Sequence, residues 1–227
     1  MNNKILVIGS TNTDMVIKTT RLPIPGETIL GGYFFINPGG KGANQAVAAV
    51  RLGGKVTFIA KTGNDIFGMQ AQELFQKENI NCDYIIVDNA APSGIALITV
   101  DKKGENCIVV APGANNNLTA EEILIAVQEI ESAEIVLMQL ETPLETIEKV
   151  AEAIWKMKKK IILNPAPARH LPEGLYKYIF LITPNETEAE ILTGIKVTDI
   201  HSAQRSAEVF LEKGVQKVII TMGSSGA

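Results

Sequence analysis

From about Gly40 to the last residue, short apolar runs of strand length alternate with longer stretches of helical periodicity. This alternation constrains the fold of the 227-residue chain more than any other feature. Runs at 5–8, 57–60, 135–139, 161–163, 180–182 and 218–221 read as buried strands. Stretches at 43–52, 65–78, 119–130, 143–156, 186–193 and 202–213 read as helices. Strands separated by helices build a parallel sheet covered on both faces. The expected fold class is therefore α/β, a three-layer αβα arrangement with a mainly parallel sheet, and residues 1–227 form one domain.

Two regions break the rhythm, at about 14–36 and 94–110. In the second, Gly94-Ile95-Ala96-Leu97-Ile98-Thr99-Val100 and Asn106-Cys107-Ile108-Val109-Val110 flank the turn Asp101-Lys102-Lys103-Gly104 and read as a β-hairpin. Together the two regions are expected to make a small antiparallel sheet beside the main one. Both alternating sets at 33–36 are apolar, Tyr33 and Phe35 against Phe34 and Ile36. A sheet with one face on a core shows one polar set. This sheet is therefore buried on both sides or meets a partner.

The apolar content of 46% suits one large α/β domain. Net charge is −4, and the one basic run is Lys156-Met157-Lys158-Lys159-Lys160. It sits between a helix and a strand and reads as a solvated helix end; nucleic acid is not an expected partner. Cys82 and Cys107 have no metal-ligand spacing, which fits a reducing, cytoplasmic setting. The start runs straight into Lys4-Ile5-Leu6-Val7-Ile8, with no signal peptide expected. No apolar run approaches the roughly 18 residues of a membrane span, so no membrane partner is expected.

In open parallel sheets, ligands bind beyond the carboxyl ends of the strands. Here those ends carry polar groups repeatedly: Asn12 and Asp14, Asn64 and Asp65, Glu141, Asn164, Asn185 and Glu188, then Gly223 and Ser224. Each has a plainer reading. Asp65 and Asn185 suit helix N-caps, Asn12 and Asp14 an Asx-turn, Asn164 a strand end before Pro165, and Glu141 an exposed surface position. Their convergence on one edge points to a site. The segment Asn37-Pro38-Gly39-Gly40-Lys41-Gly42-Ala43-Asn44-Gln45-Ala46 adds glycines, a lysine and a helix start. Such a surface offers donors to hydroxyl or phosphate oxygens. It is not a P-loop, because Gly42 follows Lys41 where Ser or Thr is needed.

Several segments together resemble the ribokinase-like carbohydrate kinase family over essentially the whole chain. They are Gly9-Ser10-Thr11-Asn12-Thr13-Asp14, Pro25-Gly26-Glu27-Thr28, Gly39 to Ala49, Met138-Gln139-Leu140-Glu141, Asn164-Pro165-Ala166-Pro167-Ala168, Thr183 to Glu190 and Thr221-Met222-Gly223-Ser224. The resemblance implies a ribokinase-like αβα domain with a small β-sheet lid that covers the sugar and pairs two subunits as a homodimer. It implies sugar binding by Asn12, Asp14, Gly39, Gly40, Lys41, Asn44 and Glu141. It implies nucleotide contacts by Asn185, Thr221 and Gly223, and contact with Mg²⁺ through water by Glu188. The implied activity is ATP-dependent phosphorylation of a sugar, D-ribose at its 5-hydroxyl. Another sugar or a nucleoside is the alternative, and a non-catalytic sugar-binding form is a further one. Aromatic residues are 5% of the chain and none lies in the polar segments, which favours a bare sugar over a nucleoside. The family's second signature, Asp-Thr-x-Gly-Ala-Gly-Asp-like, does not occur before Ala227. Its last Asp is the family's general base. The adenine pocket and the K⁺ loop also belong to that later part. The C-terminal part is thus expected to be missing, and the chain as written to lack useful kinase activity.

Overall fold

The computed structural model describes residues 3–227. The chain opens with β1 (Lys4–Ile8), β2 (Asn12–Lys18), β3 (Tyr33–Gly39), α1 (Lys41–Arg51), β4 (Lys55–Gly63), α2 (Ile66–Lys77) and β5 (Ile85–Asp88). There follow β6 (Gly94–Val100), β7 (Asn106–Ala111), α3 (Ala120–Leu124), α4 (Val127–Ser132), β8 (Ile135–Met138), α5 (Leu144–Lys156) and β9 (Lys160–Leu163). The last elements are α6 (Glu173–Tyr176), β10 (Leu181–Ile182), α7 (Glu186–Thr193), α8 (Ile200–Glu212) and β11 (Lys217–Val218).

The main sheet has seven strands in the order β11-β10-β9-β8-β1-β4-β5, and its strand pairs are parallel. β1 shows why the sheet must be covered twice. Leu6 and Ile8 join one buried cluster with Val136, Met138, Ile147 and Val150, while Val7 joins a second with Ala43, Ala46, Phe58 and Phe75. Side chains alternate faces along a strand, so a strand apolar at every position serves two cores. The second core is thin because α1 buries Gly42, Ala43, Ala46 and Ala49. Small side chains let that helix lie close against the sheet, and this closeness brings its N-terminus to the end of β1.

A second sheet of four strands, in the order β3-β2-β6-β7, stands beside the first. It is mixed rather than antiparallel. β2 pairs antiparallel with β3 but parallel with β6, and β6 pairs antiparallel with β7. Between β2 and β6 the chain passes through α1, β4, α2 and β5 of the main domain. It leaves the same end of the sheet a second time, so both strands run outward together. Residues 19–32 hold no strand, and the strands start at Asn12 and end at Gly39, wider than 14–36.

Other differences are local. The single helix expected at 119–130 is two, because Ala126 N–H bonds to Ile123 O at 3.1 Å and closes α3 with a tighter turn. β5 and α6, of four residues each, carry too little periodicity to be read. The strand expected at 218–221 is regular only to Val218; beyond it Ile219 N–H still reaches Ile182 O and Thr221 N–H reaches Pro184 O, both at 3.0 Å.

Lys61 on β4 is a buried cation that joins several of these pieces. Its Nζ lies 2.6 Å from Glu122 Oε1, 3.0 Å from Asn117 O and 3.9 Å from Asp88 Oδ2. Burial acts to raise the Glu122 carboxyl, but the Lys61 and Thr119 hydrogen bonds outweigh it and hold it below its ordinary range. Asp88 is held low by the Asn117 amide, then by Ala90 and Ala91 N–H and Lys61. Depressed carboxylates stabilise the fold above their unfolded pKa and lose that contribution as pH falls through the folded value. The expected outcome is a stability loss that begins below the unfolded value of about 4 and grows towards lower pH. Lys61→Met removes the cation while Glu122 keeps Thr119 and Asp88 keeps Asn117; losing the bond to Glu122 should cost about 1–3 kcal/mol at pH 7, with a shallower acid slope. Urea melts of both chains between neutral and acid pH check this.

Candidate active site

The site begins where β1 ends. Past Ile8 the chain crosses in Gly9-Ser10-Thr11 directly into β2, and α1 starts against that crossing. Gly40 precedes the helix with φ of 92°, and a Cβ there would stand 2.7 Å from Thr11 Cα. Both the left-handed backbone and the close approach require glycine. Gly39 lies on the Asp14 carboxylate, into which any Cβ would run. Ala43 N–H bonds to Ser10 O at 2.9 Å, and Gly42 N–H to Ser10 Oγ at 3.3 Å.

Glu141, just past β8, completes the start of α1. Its Oε2 accepts from Lys41 N–H at 2.9 Å and from Ser10 Oγ at 2.5 Å. A carboxylate suits the unpaired N–H groups and positive end of a helix. Arg169 holds Glu141 from behind. Its Nη2 donates to Leu140 O at 2.9 Å and to Thr142 O at 2.7 Å, the carbonyls on either side of Glu141.

Asp14 lies on β2, opposite Asn37 of β3 and beside Ala96 of β6. Burial, and next the charge of Glu141, raise its carboxyl above the ordinary value. Two carboxylates thus face one small region floored by glycine backbone. The neighbouring Asn12 is fixed by Asn115, which is 1% exposed. Asn115 Nδ2 donates to Asn12 Oδ1 at 2.9 Å, to Thr11 O at 3.0 Å and to Pro112 O at 3.0 Å, while its Oδ1 accepts from Thr11 N–H at 2.9 Å.

Six of the seven expected sugar residues therefore meet: Asn12, Asp14, Gly39, Gly40, Lys41 and Glu141. Asn44 lies one turn along α1, is exposed, and sits at a groove with Pro38, Val47 and Leu74 between α1 and α2. No hydrogen bond joins its side chain to the other six among the described residues. Asn12 and Asp14 form no Asx-turn; they are paired strand residues. Asn115 and Arg169 were missed. Asn115 lies in a short 3₁₀ turn, Gly113–Asn117, and Arg169 follows Asn164-Pro165-Ala166-Pro167-Ala168 with no charged neighbour in sequence to mark it.

A second cluster lies beyond β10, two strands from β8 and three from β1, roughly 10–15 Å at the usual strand spacing. Asn185 follows β10 and caps α7: its Oδ1 accepts from Glu188 N–H at 2.8 Å, and Glu188 Oε2 accepts from Asn185 N–H at 2.9 Å. This reciprocal capping box occupies one oxygen of each side chain. Thr221 bridges to Asn185, and Gly223 lies beside Glu186. Asp65 proves to be a cap as well, accepting from Gly68 N–H at 2.9 Å. Among the described residues no group of three or more His, Cys, Asp or Glu is placed to hold a metal ion. A metal held by protein ligands alone does not fit this site. Glu188 Oε1 takes no part in the cap, which uses Oε2.

The described geometry is thus a pair of carboxylates, glycine backbone and a helix start at the carboxyl edge of one parallel sheet. The chain matches the pfkB family of carbohydrate kinases over residues 2–227, and it belongs to that family. It is 45% identical over 226 residues to ribokinase of Haemophilus influenzae, covering 100% of this chain and 74% of that protein. It is 38% identical to deoxyribokinase of Salmonella typhi, covering 98% of this chain and 73% of that protein. The solved structure of Arabidopsis thaliana ribokinase complexed with ribose and ATP superposes with a TM-score of 0.88 at 29% identity, covering 99% of this chain and 73% of that one.

Asn115 gives the site a sharp test. Asn115→Asp keeps the acceptor for Thr11 N–H but turns a carboxylate oxygen towards Thr11 O, Asn12 Oδ1 and Pro112 O. Its folded pKa must rise, so the destabilisation is full at neutral pH and shrinks as pH falls and the carboxyl regains a proton to donate. We expect Asn115→Asp to lose about 3 kcal/mol at pH 7 and to gain on the parent chain as pH falls towards 4–5. Chemical melts at the two pH values read this directly.

Proposed function

We propose that the chain is a sugar kinase acting on D-ribose, with its 5-hydroxyl as phosphoryl acceptor and ATP as donor. The observation that carries this reading is the placement of the Asp14 carboxylate under Gly39 and beside Glu141. Paired carboxylates over glycine backbone accept several hydroxyl protons at once, and charged acceptors make the stronger hydrogen bonds. Lys41 adds a donor, and Glu141 Oε1 remains for a hydroxyl while Oε2 holds the helix; Asn44, in the groove between α1 and α2, is left out of this set. The relatives support the reading: the Haemophilus influenzae protein is named ribokinase, and the Arabidopsis thaliana ribokinase is complexed with ribose and ATP.

Asn185, Thr221 and Gly223 are assigned to the nucleotide side, at the spacing that a triphosphate can bridge. Phosphoryl transfer depends on positioning and on donors aimed at the phosphoryl oxygens. Glu188 would contact a Mg²⁺ that accompanies ATP, and that metal would neutralise phosphate charge. No residue of the 227 is assigned as general base, so the reading is tested first as binding.

The lid strands expose apolar groups on both faces: Tyr33 is 68% exposed, Phe34 54%, Leu97 52% and Val109 63%. One face can cover the sugar, and the other pairs with a second copy as a homodimer, which light scattering checks. Cys82 and Cys107 are both free thiols, in keeping with the cytoplasm. Among the described residues no helix is long and apolar enough to cross a membrane. A second substrate, 2-deoxy-D-ribose, is favoured by the deoxyribokinase relative; it lacks one hydroxyl that the carboxylates could hold.

Calorimetry with D-ribose, 2-deoxy-D-ribose, a hexose and adenosine tests the substrate. D-ribose should bind most tightly, and Asp14→Asn should weaken it by about 1.5–3 kcal/mol. Because Asp14 must be charged to accept, and its pKa is raised, affinity should fall with acid at a pH above the ordinary aspartate range. Unchanged ribose affinity in Asp14→Asn, or tighter binding of the hexose, would overturn the assignment.

A further inference from the structure

The opposite end of the main sheet holds a groove that the sugar site does not use. Its volume is about 550 Å³, and its walls include Trp155, Tyr178 and Phe180 together with Lys158, Lys160 and Gln216. These residues come from separate places: the last turn of α5, the turn before β9, the approach to β10 and the approach to β11. β9 has four residues, so Lys160 lies roughly 13 Å from the carboxyl edge at the usual rise per strand residue.

The charge here is one-sided. Lys160 and Lys217 each place an ammonium 5.2 Å from the Phe180 ring centroid, and Lys177 lies 5.0 Å over Tyr178. Among the described residues, Lys158, Lys160, Lys177 and Lys217 form no ion pair. Lys156 is paired with Glu152 at 2.8 Å, and Lys159 bonds to Glu131 O. The negative end of α5 accounts for cations in its last turn only. It does not account for Lys160, Lys177 and Lys217, which arrive from other elements. Lys177 still feels the Glu152 carboxylate, but none of the four is ion-paired among the described residues, and in a chain whose net charge is −4 an anion placed among them relieves their mutual repulsion.

The aromatic wall selects which anion. Trp155 is 46% exposed, and its ring centroid is 5.4 Å from that of Tyr178, tilted by 52°. An open indole face beside a phenol takes a flat ring by stacking. The groove volume lies within the usual range for a small-molecule pocket, about 300–1,000 Å³. We infer that this groove binds a nucleoside phosphate, with the base against Trp155 and Tyr178 and the phosphates at Lys158 and Lys160. It is a second nucleotide site, at the other end of the sheet from Asn185.

Trp155 is the single tryptophan of the chain, so intrinsic indole fluorescence reports on this groove alone. The experiment titrates the 227-residue chain with ADP, with adenosine and with pyrophosphate, at low and at high salt. ADP should quench the indole saturably, with a midpoint at least tenfold lower than adenosine or pyrophosphate, and high salt should raise that midpoint. The double variant Lys158→Glu, Lys160→Glu should raise the ADP midpoint at least tenfold while its thermal melt stays that of the parent; the single variant Lys158→Gln should raise it less. No quenching by millimolar ADP would overturn the inference. Equal midpoints for ADP and pyrophosphate would also overturn it, by showing an anion patch without a base site. So would quenching that survives both lysine variants, or binding of an oligonucleotide where the mononucleotides fail.

Discussion

The start of α1 is held by a carboxylate that comes from a different part of the chain. Glu141, a hundred residues on, accepts from Lys41 N–H and Ser10 Oγ, and Arg169 grips the carbonyls on both sides of it. Three strand ends are tied by this arrangement: β1 through Ser10, β8 through Glu141, and β9 through the segment that carries Arg169. A helix end left without partners would expose buried N–H groups, so the anchor serves stability. It also fixes the floor on which Gly39 and Asp14 meet. The same hydrogen bonds that finish the fold set the geometry of the site, and the nearby charge of Glu141 is part of what lifts Asp14 out of the ordinary range.

Much of the architecture was legible because strands buried on both faces are apolar at every position. Leu6, Val7 and Ile8 leave no other reading. Direction within the small sheet was not legible, because it depends on where the chain re-enters after a long excursion and not on the residues of β2 or β6. β5 was hidden for a related reason. Its four residues pair with the last four of β4, Ala60 to Gly63, and a strand so short carries no period of its own.

The site shows the same division. Asn12, Asp14 and Glu141 stood out because polar groups at the ends of apolar strands need a reason to be there, and Lys41 because glycines and a helix start surround it. Asn185 and Glu188 stood out too, yet in the fold each spends one oxygen on the other's backbone N–H, and the sequence pattern of a capping box is the same whether or not a ligand is near. Asn115 and Arg169 left no trace. Both act by holding backbone carbonyls, and partners so far apart in sequence become neighbours only once the sheet is built. The lysines from 156 to 160 were legible as a helix end, but Lys177 and Lys217 join them through strand order alone.

Asp14 is a half-buried carboxylate beside a second one, Glu141, and the titration of that one group tests the sugar assignment most directly. Carbon-detected NMR of the Asp14 carboxyl, followed through acid pH with and without D-ribose, gives its pKa in both states. The value should lie above the ordinary aspartate value of about 3.9 in the free chain and fall when D-ribose is present, because its hydroxyls bond to the charged form. A pKa that starts in the ordinary range, or that D-ribose leaves unmoved, would contradict the assignment.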